Sequence, residues 1–415
     1  MARLYLPEYP NVSRRPREDG PQVGTDLDCL PPDFLADPYP YYSRLRTEDP
    51  VHIGRRGVWI LTRYDDVALV LRDLRFGRKA FTAAMGASSA DPADSGMGVS
   101  MLFQDPPDHT RLRALVSEAF TPSLVPALRQ HTRQVADALL DRVRDAGAMD
   151  LIADFAFPLP VYVISEILGV PAADRDLFRQ WSLDIARGLD SPPASPAFER
   201  NAAAQVEITA YFRALIAERR KCPQTDLVTR LIAAETAGDR LTESELLDLC
   251  SLLFFTGHQT TINLIGNGIL ALLRHPMELR RLRDHPGLLP GAVEELLRYD
   301  SPVQRTGRMA NTSVEIGGKT IPKGAVVLAM LGAANRDPAK FPDPARLDIA
   351  RRENRHLAFG SGARFCLGAP LARLEGSIAI GTLLRRLPEL ALTSRRASWR
   401  NSAEVRGLQE FPVTF

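Results

Sequence analysis

Apolar residues recur at three- and four-residue intervals along LVPALRQHTRQVADALLDRVRDAG (124–147), AQVEITAYFRALIAERR (204–220) and PGAVEELLRY (290–299). That period gathers them on one face of a helix, so all three segments are predicted to be amphipathic helices. Strand patterns are fewer. VHIGRRGVWILTRY (51–64) reads as two short strands about a Gly-bounded turn. SVEIGGKTIPKGAVVLAM (313–330) reads as a second set, broken by Gly-Gly and Pro-Lys-Gly turns. With no internal repeat and no long low-complexity linker, residues 1–415 are expected to form a single, mainly α domain with a small β region.

One helix is different in kind. Thr242 and Glu245 have the spacing of a capping box, and Pro276 stops the pattern. The thirty or so residues between them would span ~45 Å at 1.5 Å per residue. The segment is apolar on nearly all faces, so it must run through the core. Yet its midpoint reads Thr256, Gly257, His258, Gln259, Thr260, Thr261. Buried polar side chains cost free energy unless they are satisfied. A partner is required there: another segment, water or a bound group.

Composition narrows the classes without choosing one. The chain is 45% hydrophobic and 25% charged with a net charge of +2, so charge gives no support to nucleic-acid or membrane-surface binding. No run approaches the ~18 apolar residues of a membrane span, and the N-terminus lacks a signal-peptide core. A cytoplasmic protein is expected. Cys29, Cys222, Cys250 and Cys366 are far apart with no CxxC pair, which indicates neither a zinc site nor a disulfide framework. Two aperiodic stretches, 81–100 and 190–198, read as exposed loops, or as lids if a site lies beneath them.

The chemistry concentrates in HLAFGSGARFCLGAPLARLEGSIAI (356–380). Phe359, Gly360, Ser361 and Gly362 make a Gly-rich turn, Cys366 ends it, and Gly368 opens a long helix. A cysteine beside a helix N-terminus lies in a positive field that favours the thiolate. Taken alone, such a cysteine is more often structural. The ordered pattern Phe-Gly-x-Gly-x-Arg-x-Cys-Leu-Gly, however, resembles the haem-binding loop of the cytochrome P450 family. The resemblance implies that family's mainly helical fold, haem b as cofactor and Cys366 as the metal ligand, with Phe359, Gly360, Arg364 and Gly368 in the cofactor-binding loop.

Further segments resemble the family in order and spacing. Glu295 and Arg298, joined to Arg346, are similar to its buried Glu-Arg-Arg brace. DPPDHTRLR (105–113) is similar to the start of a helix that contacts the haem propionates; His109 and Arg113, four apart, share a face. Arg308 resembles an arginine on a strand beside the haem. As a set, His109, Arg113, Arg308 and Arg364 would neutralise two carboxylates.

The long helix then resembles the one that crosses above the haem. There Gly257 is expected to keep the backbone clear of the dioxygen site and Thr260 to supply a hydroxyl to it. Gln259 stands where the family has an acid. An amide donates and accepts hydrogen bonds but cannot release a proton, so Gln259 is assigned to a network and not to proton shuttling. His258 is turned about 100° away from it.

The implied activity is haem-thiolate monooxygenation, hydroxylating or epoxidising a small-molecule substrate with dioxygen, in bacterial secondary-metabolite biosynthesis. Electrons would come from a ferredoxin and its NAD(P)H-dependent reductase, docking on a face with Arg111, Arg113 and Arg364. The protein is expected to be a monomer, with substrate near 81–103, 175–200, Leu252, Leu253, Thr256, 302–306 and 405–409. Gln259 leaves open an enzyme of the same fold performing radical coupling, ring formation or a peroxide-driven oxidation; a non-catalytic haem protein is the remaining alternative.

Overall fold

The computed structural model describes residues 33–54, 57–84, 100–120, 124–189, 195–235 and 241–415. Cys29, most of the 81–100 loop and residues 190–194 lie outside the described residues. The helices are α1 (Tyr39–Glu48), α2 (Tyr64–Arg72), α3 (Lys79–Ala84), α4 (Asp108–Ala119), α5 (Leu124–Val143), α6 (Pro158–Ile167), α7 (Arg175–Leu189), α8 (Pro196–Lys221), α9 (Leu227–Glu235), α10 (Glu243–Arg274), α11 (Pro276–Asp284), α12 (Leu289–Tyr299), α13 (Leu331–Ala334) and α14 (Ala369–Arg386).

Short strands accompany them: β1 (Val51–Ile53), β2 (Trp59–Leu61), β3 (Phe76–Gly77), β4 (Ala148–Asp150), β5 (Thr306–Ala310), β6 (Val314–Ile316), β7 (Lys319–Ile321), β8 (Val326–Ala329), β9 (Ala391–Leu392), β10 (Ser398–Trp399), β11 (Leu408–Glu410) and β12 (Pro412–Thr414). The largest sheet has the order β1-β2-β8-β5-β3. In it β2 runs parallel to β8, pairing Trp59 with Val327, while β5 runs antiparallel to β8, pairing Arg308 with Val327.

The capping box of α10 forms in full: the Thr242 hydroxyl accepts from the Glu245 N–H, and the Glu245 carboxylate accepts from the Thr242 N–H at 2.8 Å. His275 closes the helix before Pro276. Over its 32 residues α10 packs against α6, α8, α12 and α14, in the middle of the largest apolar core. The sheet and α2 form a second core beside it.

The brace on Glu295 corrects one expectation. Arg298 donates through Nε and Nη2 to both oxygens of Glu295 at 2.8 Å, and both side chains are fully buried. The second arginine on Glu295 is Arg351, at 3.1 and 3.2 Å. Arg346, exposed, contributes its carbonyl oxygen to Arg298 Nη2 at 3.2 Å. Its exposed side chain was not something the count along the sequence could reveal.

Candidate active site

The Gly-rich turn is shaped by left-handed backbone at Gly360 (φ +71°) and Gly362 (φ +72°), a region that side chains disfavour. A Cβ on Gly362 would also lie 3.1 Å from Arg72 Cα, so the turn closes on α2. The Cys366 N–H donates to the Phe359 carbonyl at 2.9 Å, which fixes the cysteine at the entrance of α14. Phe359 lies under the Arg373 guanidinium at 4.7 Å, itself held in a two-pronged pair by Glu294.

The Cys366 thiol is pushed up, not down as expected. Crowding by protein outweighs the N–H groups of Gly368 and Ala369 and the charges of Arg113 and Arg373, although one side of the residue is exposed. The donors that favour a thiolate are nonetheless in place. Metal coordination deprotonates a thiol outright.

Around 102–109 the structure gathers positive charge. Arg364 donates to Asp105 Oδ1 at 2.8 Å and to the carbonyls of Gln104 and Leu102. Arg308, 4% exposed, donates to the Gly307 carbonyl at 2.7 Å and to the Thr306 hydroxyl at 3.0 Å. Arg78 donates to the same two acceptors, each at 3.0 Å, and its Nε is buried with no partner among the described residues. Burial and the neighbouring Arg78 and Arg364 push Arg308 down to about 9. Burial with Arg364, Arg113 and Arg308 pushes His109 down to about 4. Two acids face the three arginines: Glu404 acts on Arg78, and Asp105 pairs with Arg364 while its oxygens cap the N–H groups of Arg78 and Lys79. The cluster is therefore short of negative charge, which fits two carboxylates of a buried cofactor. Sequence had no signal for Arg78, which sits between β3 and α3. Arg113 instead donates to the Phe365 carbonyl at 2.8 Å, tying α4 to the cysteine loop.

On α10 the polar midpoint divides by face. Thr256 is exposed and Thr260 half-buried, one turn apart, on a helix otherwise largely buried. A Cβ on Gly257 would lie 2.8 Å from Ile164 Cδ1, so this glycine admits α6 to close packing. That packing is a second role for a glycine expected to keep the backbone clear of a dioxygen site. His258 turns to α7: Nε2 meets the Ser182 hydroxyl at 2.5 Å and Nδ1 the Phe254 carbonyl at 2.6 Å. Gln259 is buried, and its Oε1 has no partner among the described residues. From α14, Glu375 faces Thr261 without closing a hydrogen bond, and burial raises its carboxyl well above the usual range. Sequence reasoning passed over Glu375, although an acid inside the apolar run LARLEGSIAI was the available signal.

A cysteine at the start of a long helix, a buried cation cluster beside it and a core-crossing helix with a polar midpoint define a haem-thiolate protein. The cytochrome P450 family model matches residues 181–391. Cytochrome P450 monooxygenase PikC of Streptomyces venezuelae is 43% identical over 398 residues, covering 94% of this chain and 93% of the relative. The polyketide biosynthesis cytochrome P450 PksS of Bacillus subtilis is 40% identical over 400 residues, covering 92% and 96%. The crystal structure of P450BioI in complex with a fatty-acyl-ligated acyl carrier protein superposes with a TM-score of 0.84 at 42% identity, covering 92% of this chain and 99% of that one. The chain belongs to the cytochrome P450 family; it is a haem-dependent oxidoreductase, a monooxygenase. Among the described residues no helix is long and apolar enough to cross a membrane.

Proposed function

We propose that the chain acts as one domain, and as a monomer, that inserts an oxygen atom from dioxygen into a small organic substrate of bacterial secondary metabolism. The names printed for PikC and PksS support that setting. The observation that carries the reading is the cysteine loop joined to a buried cluster short of negative charge. Cys366 would ligate the iron of haem b, and Arg78, His109, Arg308 and Arg364 would receive its carboxylates, with Arg113 bracing the cysteine loop. When bound, haem supplies the dioxygen and electron chemistry, and the protein sets the ligand, the substrate pose and proton access.

Each remaining task falls to residues of this chain. Leu252, Leu253 and Thr256 on α10 present the face toward substrate. The Thr256 hydroxyl donates to the Leu252 carbonyl at 2.7 Å, so it is satisfied within the helix. Thr260 places a hydroxyl on that face, and Gln259 places a neutral amide next to it in the sequence. A ferredoxin would dock near Arg113; Arg111 is engaged by Glu245 of α10. Cys366→Ala should lose the long-wavelength Soret band of the reduced carbon monoxide complex, while Cys222→Ala and Cys250→Ala keep it. Product made under labelled dioxygen should carry one labelled atom, and an unlabelled coupled or cyclised product would sink the oxygen-insertion reading.

A further inference from the structure

Arg373 rises from the second turn of α14, the helix that Cys366 precedes. Helical side chains lean toward the N-terminus, so this one reaches back over the cysteine turn. Its guanidinium lies 4.7 Å from the centre of the Phe359 ring, within range of a cation–π contact. Nε and Nη2 donate to the two oxygens of Glu294 on α12 at 2.7 and 2.8 Å, a planar fork that allows one geometry. The His356 side chain, 2% exposed, adds a third contact: its Nε2 lies 3.3 Å from Glu294 Oε2, and its ring centre is 5.8 Å from that of Phe359. Glu294, steadied by His356, and Phe359 thus fix one cation in place. Phe359 also accepts the Cys366 N–H through its carbonyl at 2.9 Å, so the cation is fixed relative to the sulfur.

The group does more than brace α12 against α14, because its charge acts on Cys366. Against burial, Arg373 and His356 hold the Glu294 carboxyl down at about 2, and Glu294 in turn raises Arg373, so both members of the pair are charged at neutral pH. Arg373 favours the charged form of the Cys366 sulfur, as does Arg113. The two cations differ in their partners. Arg113 donates to the Phe365 carbonyl, and of the two only Arg373 is paired with an acid among the described residues. A positive charge beside a metal–sulfur bond favours the state that carries the extra electron, and an acid on that cation offsets the effect.

We propose that Arg373 is a positioning residue that tunes the cysteine-ligated iron: its charge, set in place by Glu294 and Phe359, draws electron density from the Cys366 thiolate and raises the share of reduced iron at a given potential. This deepens the oxygenase reading, with Cys366 as ligand, and rests on it. One electron from the redox partner converts ferric to ferrous iron, while Arg373 is neither oxidised nor deprotonated. Its removal makes entry of that electron harder. Neutralising Glu294 makes it easier, because the guanidinium then acts on the sulfur without an opposing charge.

The test is a spectroelectrochemical titration of the haem-loaded, substrate-free protein and of Arg373→Met, Arg373→Lys and Glu294→Gln, each poised at the wild-type midpoint at neutral pH. The ferrous-to-ferric ratio should fall several-fold in Arg373→Met and by less in Arg373→Lys, which keeps the charge. In Glu294→Gln, whose amide oxygen still accepts from the guanidinium, the ratio should rise. A brace alone moves Arg373→Met and Glu294→Gln in the same direction, since each breaks the same contact. Shifts of one sign in both, or wild-type ratios in both, overturn the proposal. If Arg373→Met fails to retain haem, Glu294→Gln decides: a rise upholds the charge effect, and its absence overturns it. A wild-type protein without the long-wavelength Soret band in its reduced carbon monoxide complex would instead sink the haem-thiolate reading, and the tuning role with it.

Discussion

The imidazole of His258 meets the hydroxyl of Ser182 at 2.5 Å and so joins α10 to α7 inside a cage of Phe157, Phe254 and Phe255. Both residues are fully buried. Removing the hydroxyl strands one ring nitrogen away from water, a loss of about 1–3 kcal/mol. Ser182→Ala is therefore expected to lower the unfolding free energy by that amount, read as a lower urea midpoint with little change in slope. A midpoint equal to wild type would mean that the imidazole finds another partner.

The same histidine makes the fold acid-sensitive. Burial pushes His258 down to about 4, below its ordinary 6.5. Above pH 6.5 the ring is neutral in both states. Between about 6.5 and 4 the unfolded chain takes up a proton that the folded chain refuses, so stability falls as pH falls, by at most ~1.4 kcal/mol per unit. His258→Phe should flatten part of that slope in urea titrations at pH 4.5, 5.5 and 6.5. An unaltered slope would assign acid sensitivity to His109 and other groups.

Glu375 works with the opposite sign. Its carboxyl is raised well above 4.5 by burial, so the folded protein keeps a proton that the unfolded chain releases. Its contribution to stability is complete below about pH 4.5 and is lost as pH rises toward the folded value, again with a limit of ~1.4 kcal/mol per unit. Glu375→Gln, neutral at every pH, should be more stable than wild type at pH 8 and close to it at pH 4.5. Equal stabilities at both pH values would mean that Glu375 is ionised in the fold.

Legibility in the sequence followed the range of the interactions. The limits of α10 depend on Thr242, Glu245 and Pro276, all local, and the structure reproduces them. Both strand sets were legible from alternation and glycine turns, whereas β9 to β12 were not, because pairings such as Val413 with Met149 join residues with no local signature. The Cys366 turn was readable because glycine positions declare backbone shape. Which arginine reaches Glu295, where Gly257 points and that Arg78 joins Arg308 are decided by tertiary packing.

The brace offers a direct comparison of arginines. Arg298→Ala removes the two-pronged partner of a fully buried carboxylate and should destabilise by ~3–5 kcal/mol. Arg351→Ala should cost less, because Glu295 keeps Arg298 and the Asp348 N–H. Arg346→Ala should fall within about 0.5 kcal/mol of wild type, since its backbone oxygen survives the change. Thermal unfolding of the three ranks them. An Arg346→Ala loss as large as that of Arg351→Ala would return the brace to the arrangement expected from sequence.

The cation cluster should behave differently with and without haem. Arg78 and Arg308 share the Thr306 hydroxyl and the Gly307 carbonyl, and burial, with repulsion from Arg78, pushes Arg308 down. In the cofactor-free protein, Arg308→Met removes a buried charge opposed by its neighbours, so that form is expected to gain stability or hold it. In the loaded protein the same change removes a donor to a carboxylate, so transfer of haem to excess apomyoglobin should quicken several-fold. Arg78→Met should show the same pair of signs, because its buried Nε lacks a partner among the described residues. A structural role alone moves both forms in the same direction. Loss of stability in the cofactor-free variants with an unchanged haem transfer rate would therefore remove Arg78 and Arg308 from the proposed carboxylate site and leave them as a brace between β5 and the start of α3.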